Sequence, residues 1–204
     1  IQGVDYIKID NPSKNLKNNL SKGLAKFLQE LHSINLDELD FEETKQFDID
    51  GYRLNEEQNQ YNLIDLLGYD CIDDLNKNIN YLNNYKDFNP KDNVICHDDL
   101  HEENILINDG NLSGIIDFAC VVKRKRDVDF ANLLEYDSDL AFMTIKEYEK
   151  LTGKKIDIKY VYSVQKVRCY GLLAWFIREN NLKYIKLFKK FIENLNGLEV
   201  NNLL

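Results

Sequence analysis

The sequence has few prolines, no paired cysteine motif and no long apolar run. Two prolines among 204 residues, 44% of them hydrophobic, leave a chain that can bury a substantial core as one unit. The four cysteines form no C-x-x-C pair, which argues against a zinc cage or a disulfide framework, so we expect buried thiols. Without a run of about 18 apolar residues, a signal peptide or a lipidation motif, we expect a soluble, cytoplasmic protein with no membrane partner.

Basic residues are outnumbered as well. The chain has 26 Lys and Arg against 35 Asp and Glu, which gives a formal net charge of −9. Such a field repels phosphate backbones and attracts cations, so it argues against nucleic acid as a partner and is compatible with a cationic small molecule. Many proteins are acidic for solubility alone, and the charge therefore supports a cationic substrate only weakly.

Helical spacing dominates both ends of the chain. From Asn11 to His32, leucines at 16, 20, 24, 28 and 31 share one face behind an Asn-Pro-Ser start signal, which predicts a helix of about 18 residues. Further helical patterns cover Glu56–Leu67, Asp73–Tyr85, Tyr160–Arg178 and Leu182–Leu195.

The middle of the chain has β patterns instead. Short apolar runs occupy residues 94–96, 104–107 and 112–118, and the Asp-Gly pair at 109–110 predicts a hairpin turn between the last two. We find no repeat, low-complexity linker or internal boundary. The sequence therefore predicts one α+β domain over residues 1–204, mainly α-helical with a small β-hairpin insert.

The densest cluster of chemically capable residues lies in this insert, at His97-Asp98-Asp99-Leu100-His101-Glu102-Glu103-Asn104. Asp99 and Asn104 match the D-x-x-x-x-N spacing of a kinase catalytic loop, and Asp117 follows eighteen residues after Asp99. Phosphoryl transfer needs one carboxylate for the hydroxyl proton, and hard oxygen ligands that hold magnesium against the phosphates. Asn104 and Asp117 would supply two such oxygens.

These motifs resemble those of the aminoglycoside phosphotransferase family, especially its 2''-type members. The loop from His97 to Asn104 and the run Gly114-Ile115-Ile116-Asp117-Phe118 carry the resemblance, while Phe27–Ile34 and Ile1–Val4 are similar to the first C-lobe helix and the segment after the hinge. The likeness runs from the first residue to Asp139. It implies the C-terminal lobe of a protein-kinase-like fold, which transfers the γ-phosphate of ATP or GTP to a hydroxyl of a small cationic molecule such as an aminoglycoside antibiotic.

The resemblance also assigns roles at the catalytic loop. By position, Asp99 becomes the catalytic base, and Asn104 and Asp117 become the ligands of Mg²⁺. Asp129 would match a structural Asp that braces the loop. His97 takes the place of the loop's leading His, and we expect it to be a structural residue.

Substrate and nucleotide contacts are implied in the same way. Three acids lie where 2''-type enzymes keep acids that face the drug: Glu135, Asp137 and Asp139. The alternative is an acidic helix end that is simply solvated. Three apolar residues are expected to contact the nucleotide base: Ile1, Leu106 and Ile116. A Gly-rich phosphate loop and a phosphate-gripping Lys do not precede the catalytic loop, so we expect an N-terminal kinase lobe as a partner outside this sequence.

The sequence departs from the family pattern at three places. Ala119 stands where the family usually has Gly, and it fits only if its φ is negative. Asp98 stands where Gly or Asn is frequent. Lys123–Arg126 replaces a Gly-Asp-Pro-like turn, and we expect it to be a solvated surface run or a remnant of an activation segment.

Rival interpretations remain open at this point. His97-x-x-x-His101 imitates a helical zinc motif or a metal-dependent phosphohydrolase pair, but both need a helix where the apolar runs predict strands. A pseudokinase or scaffold would keep the fold without needing Asp99, Asn104 and Asp117 together. Within the kinases, choline, homoserine or another small alcohol could be the acceptor, since the fold alone does not choose.

Overall fold

The computed structural model describes residues 3–35, 57–87, 89 and 92–198, which form an α+β fold that is mainly helical, as the sequence predicts. The helices are α1 (Lys14–His32), α2 (Glu57–Leu67), α3 (Asp70–Asn83), α4 (Ala131–Tyr136), α5 (Ser138–Thr152), α6 (Ile158–Arg178) and α7 (Leu182–Gly197). The strands are β1 (Val4–Asp5), β2 (Asn93–Cys96), β3 (Ile105–Asn108), β4 (Asn111–Ile115) and β5 (Val122–Lys125). No helix within the described residues is both long and apolar enough to cross a membrane.

The chain divides into two compact units. The first combines residues 1–44 with 89–157, and the second combines residues 45–88 with 158–204. The first unit contains the five strands found in the described residues, and it also contains the loop of residues 97–104. The prediction of a single catalytic lobe stays a prediction, since two compact units can belong to one lobe.

In the first unit, helix α1 packs on α5 and approaches the β-hairpin closely. Ser13 caps α1 by accepting a hydrogen bond from Leu16 N–H at 3.2 Å. The predicted leucine face is the buried face of the helix. A Cβ atom at Gly23 would lie 2.8 Å from Leu112 Cβ, so glycine permits this close contact between α1 and β4.

The β insert consists of two antiparallel sheets, with strand orders β1-β3-β4 and β2-β5. The predicted hairpin is confirmed: Asn108 pairs with Asn111, and Asp109 and Gly110 both have positive φ, at 49° and 72°. Residues 122–125 pair with β2 and are half-buried, so the expectation of a solvated run at Lys123–Arg126 was wrong, while its alternative, a remnant of an activation segment, stays a prediction. Carboxylates meet Arg124 and Lys125 of this strand, and only its first residue is apolar, so a hydrophobic pattern gave no signal for it.

The second unit is built from helices α2, α3, α6 and α7, which bury a common apolar core. It also buries a polar group. Lys166 is fully buried, and its Nζ lies 2.7 Å from Asp74 Oδ2 on α3, which also accepts from Tyr170 Oη at 2.7 Å. Lys166 Nζ bonds Asn196 on α7 as well, so one ammonium links three helices of this unit.

The four cysteines all lie in the described residues and form no disulfide there, and three of them are buried, as expected: Cys71, Cys96 and Cys169. The expectation was wrong for Cys120, which is exposed in a 3₁₀ turn after β4.

Candidate active site

The catalytic-loop candidate, residues 97–104, connects two buried strands. Strand β2 is buried throughout and ends at Cys96, and β3 begins at Ile105. Between them the chain contains only a short 3₁₀ turn over Glu102–Asn104 and no α-helix. The zinc and phosphohydrolase interpretations of the two loop histidines were therefore wrong, since both require a helix at this position.

Asp99 and Asn104 lie in direct contact. Asn104 Nδ2 donates to Asp99 O at 2.9 Å and approaches Asp99 Oδ2 at 3.4 Å. His101 stands beside both, with its Nε2 3.1 Å from Asn104 Nδ2 and 3.7 Å from Asp99 Oδ2. The Asp99 side chain is 36% exposed, so an acceptor hydroxyl can reach its carboxylate.

Asp117 is attached to the same loop through the residue before it. Ile116 N–H donates to Asn104 O at 3.1 Å, and Ile116 O lies 3.1 Å from His97 Nε2, which must donate to it. The His97 ring is fully buried against Phe118, at 4.8 Å between centroids. These bonds tie the Asp117 segment to both ends of the loop, and His97 has the contacts that a structural residue needs.

Asp129 holds the start of the loop. It is 1% exposed, and its carboxylate accepts from His97 N–H at 3.1 Å and from Asp98 N–H at 2.8 Å. His32 Nε2 on α1 donates to the same carboxylate at 2.9 Å. This is the contact set that a bracing role requires. Cys96 Sγ also lies close to His32 and Asp129, but the carboxylate and the imidazole already bond protein groups.

The two candidate magnesium ligands offer suitable oxygen atoms. Asn104 uses its Nδ2 toward Asp99, and its Oδ1 accepts no hydrogen bond from the described residues. Asp117 is exposed, has φ 61° and uses only Oδ1, which accepts from Ala119 N–H at 3.4 Å. One amide oxygen and one free carboxylate oxygen fit the hard-ligand preference of Mg²⁺, which otherwise keeps water and phosphate ligands.

Two loop residues have displaced pKa values. Burial lowers the pKa of His101, but its interaction with Asp99 and the charges of neighbouring glutamates outweigh burial and raise the pKa above its ordinary value. Burial, together with the charges of Glu135 and Glu103, outweighs a backbone hydrogen bond and raises the pKa of Glu102 to about 9. This shift favours the protonated carboxyl at pH 7.

The three acids proposed to face the substrate lie in different environments. Asp137 Oδ1 accepts from Lys17 Nζ at 2.8 Å, and its Oδ2 accepts from Tyr6 Oη at 2.7 Å. Asp137 also caps α5, while Asp139, whose side chain is 79% exposed, accepts from Lys17 Nζ at 3.3 Å. Glu135 is buried. An ammonium group therefore already lies between Asp137 and Asp139, supplied by the chain itself.

The apolar residues expected to contact the nucleotide differ in how exposed they are. Ile1 lies outside the described residues. Leu106 on β3 is 8% exposed, whereas Ile116 is 36% exposed. Their nucleotide contacts stay predictions.

Sequence reasoning missed Arg124, Lys17 and Tyr6, which contact the acids of this region. Arg124 Nη1 donates to Asp98 Oδ2 at 3.0 Å. Each lies 26 or more residues from its partner acid, and no local spacing predicts such pairs. Ala119 lies in a 3₁₀ turn with negative φ, so the replacement of glycine there causes no strain.

A family model matches most of the chain. The model, described as the phosphotransferase enzyme family, matches residues 1–152. The search of curated proteins gave no match.

Solved structures of aminoglycoside phosphotransferases are similar to the chain in fold. An APH(2'') enzyme in complex with GDP and kanamycin has a TM-score of 0.71 at 19% identity, covering 99% of this chain and 69% of that chain. The streptomycin-ATP ternary complex of APH(2'')-IIa has a TM-score of 0.58 at 22% identity, covering 94% and 69%. Spectinomycin phosphotransferase APH(9)-Ia, with ADP and spectinomycin, has a TM-score of 0.65 at 15% identity, covering 97% and 69%. At these identities the likeness concerns the fold.

Proposed function

Since the chain belongs to the phosphotransferase enzyme family, which makes it a small-molecule kinase, we propose that it transfers the γ-phosphate of ATP or GTP to a hydroxyl of an aminoglycoside. The observation that carries the proposal is the contact of Asp99 with Asn104 on a loop to which Ile116 attaches Asp117. The proposal includes an N-terminal kinase lobe as the partner that covers the phosphates, and a location in the cytoplasm, where nucleoside triphosphates are abundant.

The proposed reaction begins at Asp99. The acceptor oxygen attacks the γ-phosphorus, its proton passes to the Asp99 carboxylate, and the bond from the γ-phosphorus to the β–γ bridging oxygen breaks, which releases the nucleoside diphosphate. Asn104 and Asp117 would hold Mg²⁺, which would supply positive charge to offset the charge that develops on the phosphates. Asp129 and His97 keep the loop in place, so that Asp99 needs no rearrangement during the transfer.

Charge supports a cationic acceptor. The chain has a formal charge of −9, and the carboxylates of Asp137 and Asp139 already bind one ammonium, that of Lys17. A polyamine substrate would pair with Asp139, which is exposed, and would compete with Lys17 for Asp139 and Asp137. Kanamycin, streptomycin and spectinomycin occupy the related structures.

An acceptor panel tests the proposal. The full-length protein is assayed for phosphorylated product with ATP and with GTP, against aminoglycosides, choline and homoserine. Turnover on an aminoglycoside supports the proposal. Turnover only on choline or homoserine would show that the acceptor belongs to a different class of small alcohols. Magnesium-nucleotide binding without turnover on any acceptor would favour the pseudokinase alternative.

Asp99→Asn tests the base. We expect kcat to fall about 100-fold or more, with nucleotide affinity nearly unchanged, because Asp99 acts on the hydroxyl and not on the nucleotide. Asp109→Asn is the matched control, since it makes the same change in the hairpin turn, where Asn is equally suited to positive φ. Equal loss of nucleotide affinity in Asp99→Asn would show that the base is another carboxylate.

Asp117→Ala tests the metal site. We expect it to weaken magnesium-dependent nucleotide binding and to abolish turnover together, because Asp117 would hold the metal that offsets the charge of the phosphates. Calorimetry with and without Mg²⁺ measures the binding. An Asp117→Ala enzyme that keeps its turnover would contradict the assignment.

A further inference from the structure

The residue directly before the proposed base has an unusual backbone conformation. Asp98 has φ 60°, in the left-handed region that side-chain-bearing residues adopt infrequently. Its N–H donates to Asp129 Oδ1 at 2.8 Å, and its carbonyl accepts from Asn132 Nδ2 at 3.4 Å. Both backbone groups of Asp98 are therefore held by residues that follow β5.

The side chain of Asp98 is held from another direction. Arg124 Nη1 on β5 donates to Asp98 Oδ2 at 3.0 Å, and the two side chains are 18% and 12% exposed. Arg124 Nε is buried and has no hydrogen-bond partner among the described residues, so the guanidinium is largely withdrawn from water. Salt screens such a pair weakly, and removing one partner leaves an uncompensated charge.

Strand β5 can act as a support for the loop. It pairs with β2, in a register that places Arg124 opposite Val94, and β2 leads directly into His97 and Asp98. The last backbone pair of this ladder joins Cys96 to Val122. The ion pair thus adds a side-chain connection from β5 to Asp98, just beyond that pair.

We propose that Arg124 is a positioning residue for phosphoryl transfer, which acts through Asp98 and fixes the direction of Asp99. The backbone angles of Asp98 determine where Asp99 points. A left-handed φ is disfavoured for a residue with a side chain, and the ion pair adds to the two backbone hydrogen bonds that hold this conformation. A displacement of about 1 Å at a reacting group can cost 100-fold in rate. The inference rests on the proposed function in one respect, the role of Asp99 as the base.

The kinetic test uses Arg124→Met, Arg124→Lys and the double variant Asp98→Gly/Arg124→Met in the full-length protein. Arg124→Met should lower kcat about tenfold with KM for the donor unchanged. Arg124→Lys keeps the charge and should recover part of kcat. The double variant should return to within about threefold of the wild type, because glycine adopts positive φ and brings no carboxylate that needs a partner.

The matched control is Arg178→Met, on a half-exposed arginine at the end of α6. It should leave kcat unchanged. A kcat for Arg124→Met within about twofold of the control, or a double variant no better than the single one, would overturn the proposal. If Arg124→Met does not fold, the double variant decides alone: a folded, active protein supports the ion pair as a positioning device, and an unfolded one refutes it.

A second measurement is independent of turnover. Amide hydrogen exchange at residue 98, whose N–H bonds Asp129, should be about tenfold faster in Arg124→Met, and slow again in the double variant. If the wild type phosphorylates no acceptor, the proposed function fails, while the exchange rates still decide whether Arg124 orders the loop. Unchanged exchange in Arg124→Met would overturn the inference.

Discussion

The carboxylate of Asp129 offers a sharp quantitative prediction. Asp129 is 1% exposed and accepts three hydrogen bonds, two from loop N–H groups and one from His32. Asp129→Asn leaves one acceptor oxygen, so at least one donor loses its partner and meets an N–H group instead. A hydrogen bond to a charged group contributes about 1.5–3 kcal/mol, and an unsatisfied buried donor adds to the loss. We expect the free energy of unfolding to fall by about 3 kcal/mol.

Urea unfolding followed by circular dichroism measures this change. Asp139→Asn is the matched control, because the same substitution there removes one ion pair of a side chain that is 79% exposed, which is worth less than about 1 kcal/mol. Amide exchange at His97 and Asp98 should become faster in Asp129→Asn only. Equal stability of the two variants would refute the argument that Asp129 braces the loop through its charge.

Two further predictions concern ion pairs away from the loop. Burial alone would raise the pKa of Glu149, but the hydrogen bond and charge of Lys155 lower it below its ordinary value. The stabilisation is therefore present above the unfolded-state pKa and lost as pH falls through the lower, folded-state value. Glu149→Gln should lower Tm at pH 7, and the difference from the wild type should shrink as the solution is acidified through that range. In the second unit, Lys166→Met should lower the free energy of unfolding by about 2 kcal/mol. The substitution removes the cation that pairs with the Asp74 carboxylate, which is 31% exposed. The exposed Lys159→Met on the same helix is its control, and equal stability of both variants would contradict the prediction.

Local sequence patterns were enough to predict the helices and turns that depend on interactions between residues close in the chain. The leucine face of α1 repeats with the period of a helix, and the Asp-Gly pair permits the two positive φ angles of the hairpin turn. The contact of Asp99 with Asn104 follows the same logic, because the loop that joins them is short and both its ends are fixed in buried strands.

Long-range ion pairs could not be predicted in this way. Strand β5 has no apolar alternation beyond its first residue, and its Arg124 is tolerated because an acid from another segment, Asp98, meets it. Lys17 likewise lies on a helix that the leucine face identifies, but its position between Asp137 and Asp139 depends on how α1 packs on α5.

The positions at which the sequence departs from the family pattern show how these pairs alter the interpretation of a motif. Glycine at position 98 would adopt φ 60° with no further requirement, whereas Asp98 brings a carboxylate into a site where it is 12% exposed, and therefore needs a cation. The basic run of β5 provides that cation through Arg124. Two departures that look independent in the sequence are thus in contact in the structure, where each side chain supplies a partner of opposite charge to the other. The carboxylate that Asp98 buries is thus compensated by an arginine 26 residues away, and only the fold brings the two side chains together.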